Sequence, residues 1–499
     1  MKNEVNRVYM TKKKIILTLL SMTMLASAGS LHAVNVGVPA ECEDVMLQVF
    51  YWNSHQLTKY GRTKWIDLQK DSTAIAANFD VVWFPPSASS KGGVGYYHAC
   101  LSNQDSEWGS RTMLEKLIAA LHRGGTKVLG DIVINHRGNK SNWCDFWQDN
   151  FGQYGTFQLT QQHICYGDEC FTTSGSSCYN ASASNRGATD SGTNDGGARD
   201  LDHKSEYVQN WAKAYTKWMR NIMKYDGFRY DMTRGYSGSY LKLYNEYSNP
   251  YMSVSEFWMD DITSQVNHLK TTDYNTMVFD FAQRSKVNTA LKYPNYRLLI
   301  NHTNSFRYQG LSRYAVTFID NHDTFERYDN QGGEFIGYNI DLQNASNKNK
   351  LLQANAYILM LPGVPCVFWP HWKSYQSEIN ALIAVRKQAG IHSESAVEES
   401  VDTQTNTYEA AIQGHNGRVI LRMGANRSKD VPAGYVLALE GGDAADYTIF
   451  YAAGAQGVVT VNGEGRMAKG EKFMKNGELY IRVNGQVFDI LGRKKHIKH

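Results

Sequence analysis

Lys127-Val128-Leu129-Gly130-Asp131-Ile132-Val133-Ile134-Asn135-His136 is an apolar, β-branched run of strand length that ends abruptly on two polar side chains. Seven further runs of the same kind flank it: Val45–Tyr51, Val81–Phe84, Gly227–Asp231, Met252–Glu256, Met277–Phe281, Ala315–Ile319 and Val364–Phe368. Helical patterns lie between them. In Lys204–Tyr225, Val208, Trp211, Tyr215, Trp218, Met219 and Ile222 recur at helical spacing and leave Lys204, Lys213 and Lys217 for solvent. Leu114–Leu121 and Leu351–Leu361 repeat the pattern. Eight strands alternating with helices predict an α/β fold, a (β/α)8 TIM barrel over residues 34–391. The alternation breaks between His136 and Asp200, a stretch too long and too polar for a barrel loop, so residues 137–200 are expected to form an inserted subdomain after strand three. Beyond Ile391 the segments Tyr408–Ile412, Val419–Met423 and Tyr435–Leu439 predict an antiparallel β domain over 392–454, packed as a separate core. Residues 455–499 read as a further β segment, with strands at Val458–Val461 and Leu479–Val483, and a basic tail.

The chain has 499 residues, 42% hydrophobic and 20% charged, which excludes disordered, collagen-like and coiled-coil classes. The formal charge of +4 resides in residues 1–33, through Lys2, Arg7, Lys12, Lys13 and Lys14 against Glu4. The remainder is neutral, which argues against a nucleic-acid partner. Lys12, Lys13 and Lys14 precede the apolar stretch Ile15–Leu25, and Ala26-Ser27-Ala28 or Leu31-His32-Ala33 offers small-residue cleavage. Residues 1–33 therefore read as an export signal, giving a secreted or periplasmic monomer with no membrane span in the mature chain. Of seven cysteines, Cys144, Cys165, Cys170 and Cys178 crowd the insert, where Gly, Ser, Asn and Asp are too abundant to build a core. Disulfides are expected there, with three pairings open. Zinc is the weaker reading, because no Cys-x-x-Cys pair occurs. Cys42, Cys100 and Cys366 leave at least one free thiol.

In such a barrel, chemistry sits where strands end at the C-terminal face. Here the third run ends in Asn135-His136, the fourth carries Arg229 and Asp231, the fifth ends in Glu256, and the seventh in Asp320-Asn321-His322-Asp323. Three carboxylates from three strands converging on one mouth meet the needs of glycoside cleavage: a nucleophile, a general acid and a group that positions the sugar.

The segments Asp131-Ile-Val-Ile-Asn135-His136, Gly227-Phe-Arg229-Tyr-Asp231, Glu256-Phe-Trp258 and Phe318-Ile-Asp320-Asn-His322-Asp323 resemble the four ordered motifs of the α-amylase family, glycoside hydrolase family 13. The resemblance runs from about Leu47 to Ile391. Val82-Trp83-Phe-Pro85-Pro86, Asp200-Leu-Asp202-His203 and Arg234-Gly235-Tyr236-Ser237 look closest to plant-type members. It implies an endo-acting α-amylase cleaving α-1,4 bonds of starch-like α-glucans with retention. Asp231 would be the nucleophile, Glu256 the acid/base, and Asp323 the group that binds sugar hydroxyls. Arg229 would keep Asp231 ionised, His136 and His322 would meet hydroxyls, and Tyr96 would form the stacking platform, although His98 stands where the family has proline. Trp83 and Trp258 divide between core and sugar platform. The resemblance also implies a structural Ca2+ held by Asn135, Asp190, Asp200 and the backbone oxygens of Thr193 and Gly235, with Asp195 and Asp202 as competitors. Hard oxygens on irregular backbone suit calcium better than zinc or magnesium. Arg234-Gly235 replaces the Lys-His of many members. A glucan transferase, a debranching enzyme or a non-catalytic glucan-binding protein remains the alternative.

Overall fold

The computed structural model describes residues 36–194, 196–300, 305–325, 348–441 and 445–454, together with short strands between Val459 and Lys495. The expected export signal and Asp195 lie outside the described residues, whereas in the terminal segment strands Val459–Val461 and Glu478–Val483 occupy the two expected runs.

Eight strands close an all-parallel barrel: β1 (Met46–Gln48), β2 (Val81–Trp83), β3 (Lys127–Ile132), β4 (Gly227–Tyr230), β5 (Ser253–Ser255), β6 (Met277–Phe279), β7 (Ala315–Phe318) and β8 (Val364–Phe368). Each pairs with the next in sequence and β8 returns to β1. Every strand falls within its predicted run. Seven of the eight stop short of the run's C-terminal end; in β3, β4 and β5 the polar residues that close the run, Asn135-His136, Asp231 and Glu256, lie beyond the ladder at the barrel mouth. The helices are α1 (Trp65–Asn78), α2 (Arg111–Arg123), α3 (Glu206–Asn221), α4 (Gly238–Ser248), α5 (Ile262–Thr271), α6 (Phe281–Lys292), α7 (Lys348–Met360) and α8 (Gln376–Ala389).

The apolar pattern of α3 overruns the helix. Val208, Trp211, Tyr215, Trp218 and Met219 are buried as expected, but the helix ends at Asn221 and Ile222, the last member of the predicted stripe, is 39% exposed. Met223 and Tyr225 are fully buried in the loop leading to β4, around Lys224 at a left-handed φ of 67°. Among the described residues no helix is long and apolar enough to cross a membrane.

The insert has little regular structure of its own, two-residue strand pairs such as His136–Arg137 with Arg199–Asp200 and single turns of 3-10 helix such as Glu169–Phe171. Polar anchors hold it to the barrel. Arg137 is fully buried against Asp149 (Nη1 to Oδ2, 2.7 Å) and donates to Ala99 O and Trp147 O. Asp149 also accepts from Trp211 Nε1 on α3 (2.8 Å) and from Leu101 N (2.8 Å). Removing one partner of a fully buried pair leaves the other charge uncompensated, at about 3–5 kcal/mol. Arg137→Ala is therefore expected to lose that much in urea unfolding; a midpoint within error of the parent's would contradict the anchor. Cys144 and Cys178 form a disulfide within the insert, while Cys165 and Cys170 remain thiols.

The C-terminal sheet contains β9 (Ala396–Asp402), β10 (Thr407–Gln413), β11 (Gly417–Met423), β12 (Val436–Glu440) and β13 (Tyr447–Ala453), in the order β9-β10-β11-β13-β12 and antiparallel throughout. β9 and β13 were not foreseen. The adjacent acids Glu398 and Glu399 mask the first, and the near-continuous apolar run Tyr447–Tyr451 hides any alternation in the second. The expectation of a separate core is corrected. Tyr408, Ala410, Ile412, Val419 and Leu421 join one continuous core with α7, α8 and the barrel, and Tyr357 on α7 packs its ring 5.8 Å from Tyr408. A single sheet with one apolar face needs a partner layer, and the outer helices of the barrel provide it.

Candidate active site

Arg229 and Asp231 are two residues apart on and just after β4, so both side chains point to one side, into the barrel mouth. Asp131 on β3 is in register with Arg229. Glu256 follows β5, whose residues Val254 and Ser255 pair with Arg229 and Tyr230. This register places three carboxylates around one guanidinium. Arg229 Nη1 donates to Asp131 Oδ1 (2.9 Å) and Asp231 Oδ1 (2.7 Å), and Nη2 lies 2.9 Å from Glu256 Oε2. Arg229 is 1% exposed, Asp231 4% and Glu256 7%, so these charges are desolvated and their pairing is strong. Glu256 Oε2 also accepts the backbone N–H of Met232 (2.9 Å), a residue held at a left-handed φ of 44° immediately after Asp231.

Burial pushes the Glu256 carboxyl up to about 8, with Arg229 opposing and the charges of Asp231 and Asp323 adding. Burial raises Asp231 to about 7 against the same arginine, with Asp131 and Asp323 adding to the rise. Asp131 rises to about 6 for the same first reason. The three share Arg229 and titrate together. Burial, set against one shared guanidinium, raises all three, so the cluster holds protons above the ordinary carboxylate range.

The loop after β7 carries His322 and Asp323. Asn321 Oδ1 accepts the N–H groups of Asp323 (2.9 Å) and Thr324 (3.0 Å), and Thr324 Oγ1 donates to the buried Asp320 (3.0 Å). Gln48 Nε2 on β1 donates to His322 Nδ1 (3.0 Å), which leaves His322 Nε2–H to face Asp323 Oδ2 (3.1 Å). His136 Nε2 donates to Tyr96 O (3.0 Å). Tyr96, His322 and Trp52 lie within 5° of parallel, with centroids 5.2–6.2 Å apart. They make a flat wall of the kind that stacks on a pyranose face. A cleft of about 440 Å3 brings this wall together with Asp231, Glu256 and Asp323, and Trp258 lines it as well. Trp83, in contrast, is 1% exposed and donates to Asp131 Oδ2 (3.0 Å), so it belongs to the core.

Trp52, Gln48 and Asp131 are site residues that the sequence reading left without a role. Asp131 did leave a signal: a carboxylate within an apolar strand requires a buried partner. It finds three, Arg229, Trp83 and the Tyr96 hydroxyl (2.9 Å).

Of the expected calcium ligands, Asn135 lies against both Asp200 and Gly235, and Thr193 is bonded next to Gly235. Asn135 Nδ2 contacts Asp200 Oδ1 (3.2 Å), both residues 2% exposed, and Thr193 N donates to Arg234 O (2.9 Å). Asp190 Oδ1 accepts from Gly192 N (3.0 Å). Approach is so close that a Cβ on Gly235 would sit 1.8 Å from Asn135 Oδ1, and one on Gly192 would sit 2.3 Å from Arg234 O. Amide, carboxylate and carbonyl oxygens held this tightly fit a hard cation. Asp202 is engaged elsewhere, accepting from Ala188 N and Lys204 N. With Asn135 buried and unable to retreat, Gly235→Ala is expected to lower the melting temperature of the calcium-loaded protein and to abolish stabilisation by added Ca2+. Parent-like stabilisation in the variant would rule this cradle out.

Comparison with known proteins places this geometry in a family. The profile "Alpha amylase, catalytic domain" matches residues 76–372. "Alpha-amylase 3, chloroplastic" of Arabidopsis thaliana is 30% identical over 389 residues, covering 74% of this chain; the chain spans only 40% of that relative's length. "Probable alpha-amylase 2" of the same plant is 28% identical over 76% of this chain and 88% of its own. Among solved structures, the cyclomaltodextrin glucanotransferase CldA shares the fold with a TM-score of 0.61 at 15% identity, over 83% of this chain and 100% of its own. On its catalytic-domain match and its closed eight-stranded barrel, the chain belongs to the α-amylase family of glycoside hydrolases.

Proposed function

We propose that this protein is an exported, calcium-dependent, endo-acting α-amylase that hydrolyses internal α-1,4-glucosidic bonds of starch, glycogen or maltooligosaccharides with retention. The observation that carries this reading is one buried guanidinium shared by two carboxyls in an aromatic-walled cleft. A retaining mechanism needs its two carboxyls only about 5–5.5 Å apart, and a common arginine holds them as near neighbours.

Asp231, ionised through Arg229, attacks the anomeric carbon while Glu256 gives its proton to the departing glycosidic oxygen. The C–O bond to the leaving chain breaks as the bond to Asp231 Oδ forms. Glu256, now a carboxylate, takes a proton from water, whose oxygen displaces Asp231 and restores both groups. Asp323, steadied by His322 and the Asn321 turn, accepts hydroxyl protons of the distorted sugar, and the Trp52–Tyr96–His322 wall fixes the ring plane. Bound calcium would supply positive charge that ties Asn135, Asp190, Thr193, Asp200 and Gly235 together. The chain's own contribution there is to lock the insert against the turn after Asp231. Export rests on the basic and apolar pattern of residues 1–33.

The deciding experiment incubates mature protein with soluble starch, with and without a chelator, and follows viscosity and product size. A rapid viscosity fall with mixed short products of α-configuration, lost on chelation, is expected. Longer or branched products without new reducing ends would replace this reading by glucan transfer, and binding without cleavage by a glucan-binding role.

A further inference from the structure

We propose that Glu41, His392 and His415 form a second cation site, specific for a borderline transition metal such as Zn2+, on the face of the barrel opposite the catalytic mouth. The three residues come from distant parts of the chain: Glu41 precedes β1, His392 follows α8, and His415 sits in the turn between β10 and β11. One ligand atom from each lies within 4.8 Å of the other two. All three segments are stitched by backbone. His415 N donates to Gly390 O (3.0 Å), Asn416 N to Ala389 O (2.9 Å), and Ser393 N to Cys42 O (2.9 Å). The backbone that carries the cluster's three residues is therefore fixed in relative position, and the exposed side chains of Glu41 and His415 turn to meet an ion.

Its chemistry separates it from an ordinary surface ion pair. His415 Nδ1 lies 2.8 Å from Glu43 Oε1, so Nδ1–H donates to that carboxylate and Nε2 is the nitrogen turned to the cluster. Nε2 faces Glu41 Oε2 at 3.7 Å, close to the roughly 3.3–3.5 Å that separates two ligands on one tetrahedral zinc with bonds of about 2.0–2.1 Å. A carboxylate buttressing the distal nitrogen of a ligating imidazole is the arrangement that orients such ligands and raises their basicity. The His392 ring stacks on His415 with centroids 4.2 Å apart and is 7% exposed. Its Nδ1 accepts only a long 3.3 Å bond from Glu394 N. Glu394 in turn accepts from Glu41 N (2.7 Å), fixing the backbone that presents Glu41. Two imidazoles, one carboxylate and an open outer side give a His2Glu set completed by water, whereas the expected calcium cradle offers oxygen alone.

An ion here would clamp the approach to β1, the end of α8 and the C-terminal sheet to one another, far from the cleft. The test uses the full mature chain saturated with Ca2+, without reductant so that the Cys144–Cys178 disulfide persists, titrated with Zn2+ by calorimetry and scanned for thermal unfolding. One equivalent of Zn2+ bound in the micromolar range, with a rise in melting temperature, is expected. His415→Gln should lose both, and Glu43→Gln should weaken binding about 10–100-fold, the usual effect of removing such a buttress, with starch hydrolysis unchanged in each. No binding by the parent, or binding unaltered in His415→Gln, would overturn the site and leave an ion-paired surface cluster.

Discussion

Asp231→Asn is expected to lower kcat by roughly 10⁴–10⁶-fold, the scale on which removal of a covalent nucleophile acts. The fold should survive, and a physical argument fixes the sign of the stability change. Burial raises the Asp231 pKa from 3.8 to about 7 in the native state, so ionising it costs the folded protein stability as the pH climbs from the unfolded value through the folded one. Asparagine keeps an oxygen for Arg229 and removes that cost. At neutral pH the variant should melt at the parent's temperature or higher. Turnover within tenfold of the parent would exclude Asp231 as nucleophile; a large drop in melting temperature would mean that the loss of activity reports misfolding.

Glu256→Gln has the second largest expected effect, a loss of roughly 10²–10⁴-fold in kcat on starch. Its pH profile is the sharper readout. For the parent, kcat/KM should be bell-shaped, falling on the alkaline side near 8 as Glu256 gives up its proton, and on the acid side as Asp231 gains one. The glutamine variant should lose the alkaline limb and retain the acid one. On a substrate whose leaving group needs no protonation, bond cleavage should recover while hydrolysis of the glycosyl-enzyme stays slow, so that a covalent adduct accumulates and is seen by mass. An alkaline limb that persists in Glu256→Gln would assign the proton to another group, Asp131 being the next candidate in the cluster.

Much of this architecture was legible because strands in a closed barrel are buried on both faces. Their apolar runs stand out, and the polar residues that end them, Asp231, Glu256 and His322-Asp323, are visible against that background. Residues whose roles depend on what they face across the barrel were less so. Gln48 on β1 reads as one polar residue in an apolar strand, and only the barrel's closure, which leaves β8 alone between β1 and β7, brings it to orient His322. Trp52 could have been core; its parallel alignment with Tyr96 comes from the path of the loop after β1. The end of α3 was overrun because Ile222 keeps the helical spacing although its side chain is exposed just past the helix. The C-terminal sheet was recognisable from its alternation, but alternation says which face is apolar and not what covers it.

That sheet's partner has a consequence for recombination between relatives. Because Tyr408 and its neighbours are packed by Tyr357 and the outer surface of α7 and α8, the heritable unit is the sheet together with those helices. A chimera joined at residue 391 would mate one parent's sheet with another's helices and inherit a mismatched seam. A crossover placed before α7 would carry both halves of the seam in one block, so the productive breakpoint lies inside the barrel, well ahead of the point where the strand pattern changes.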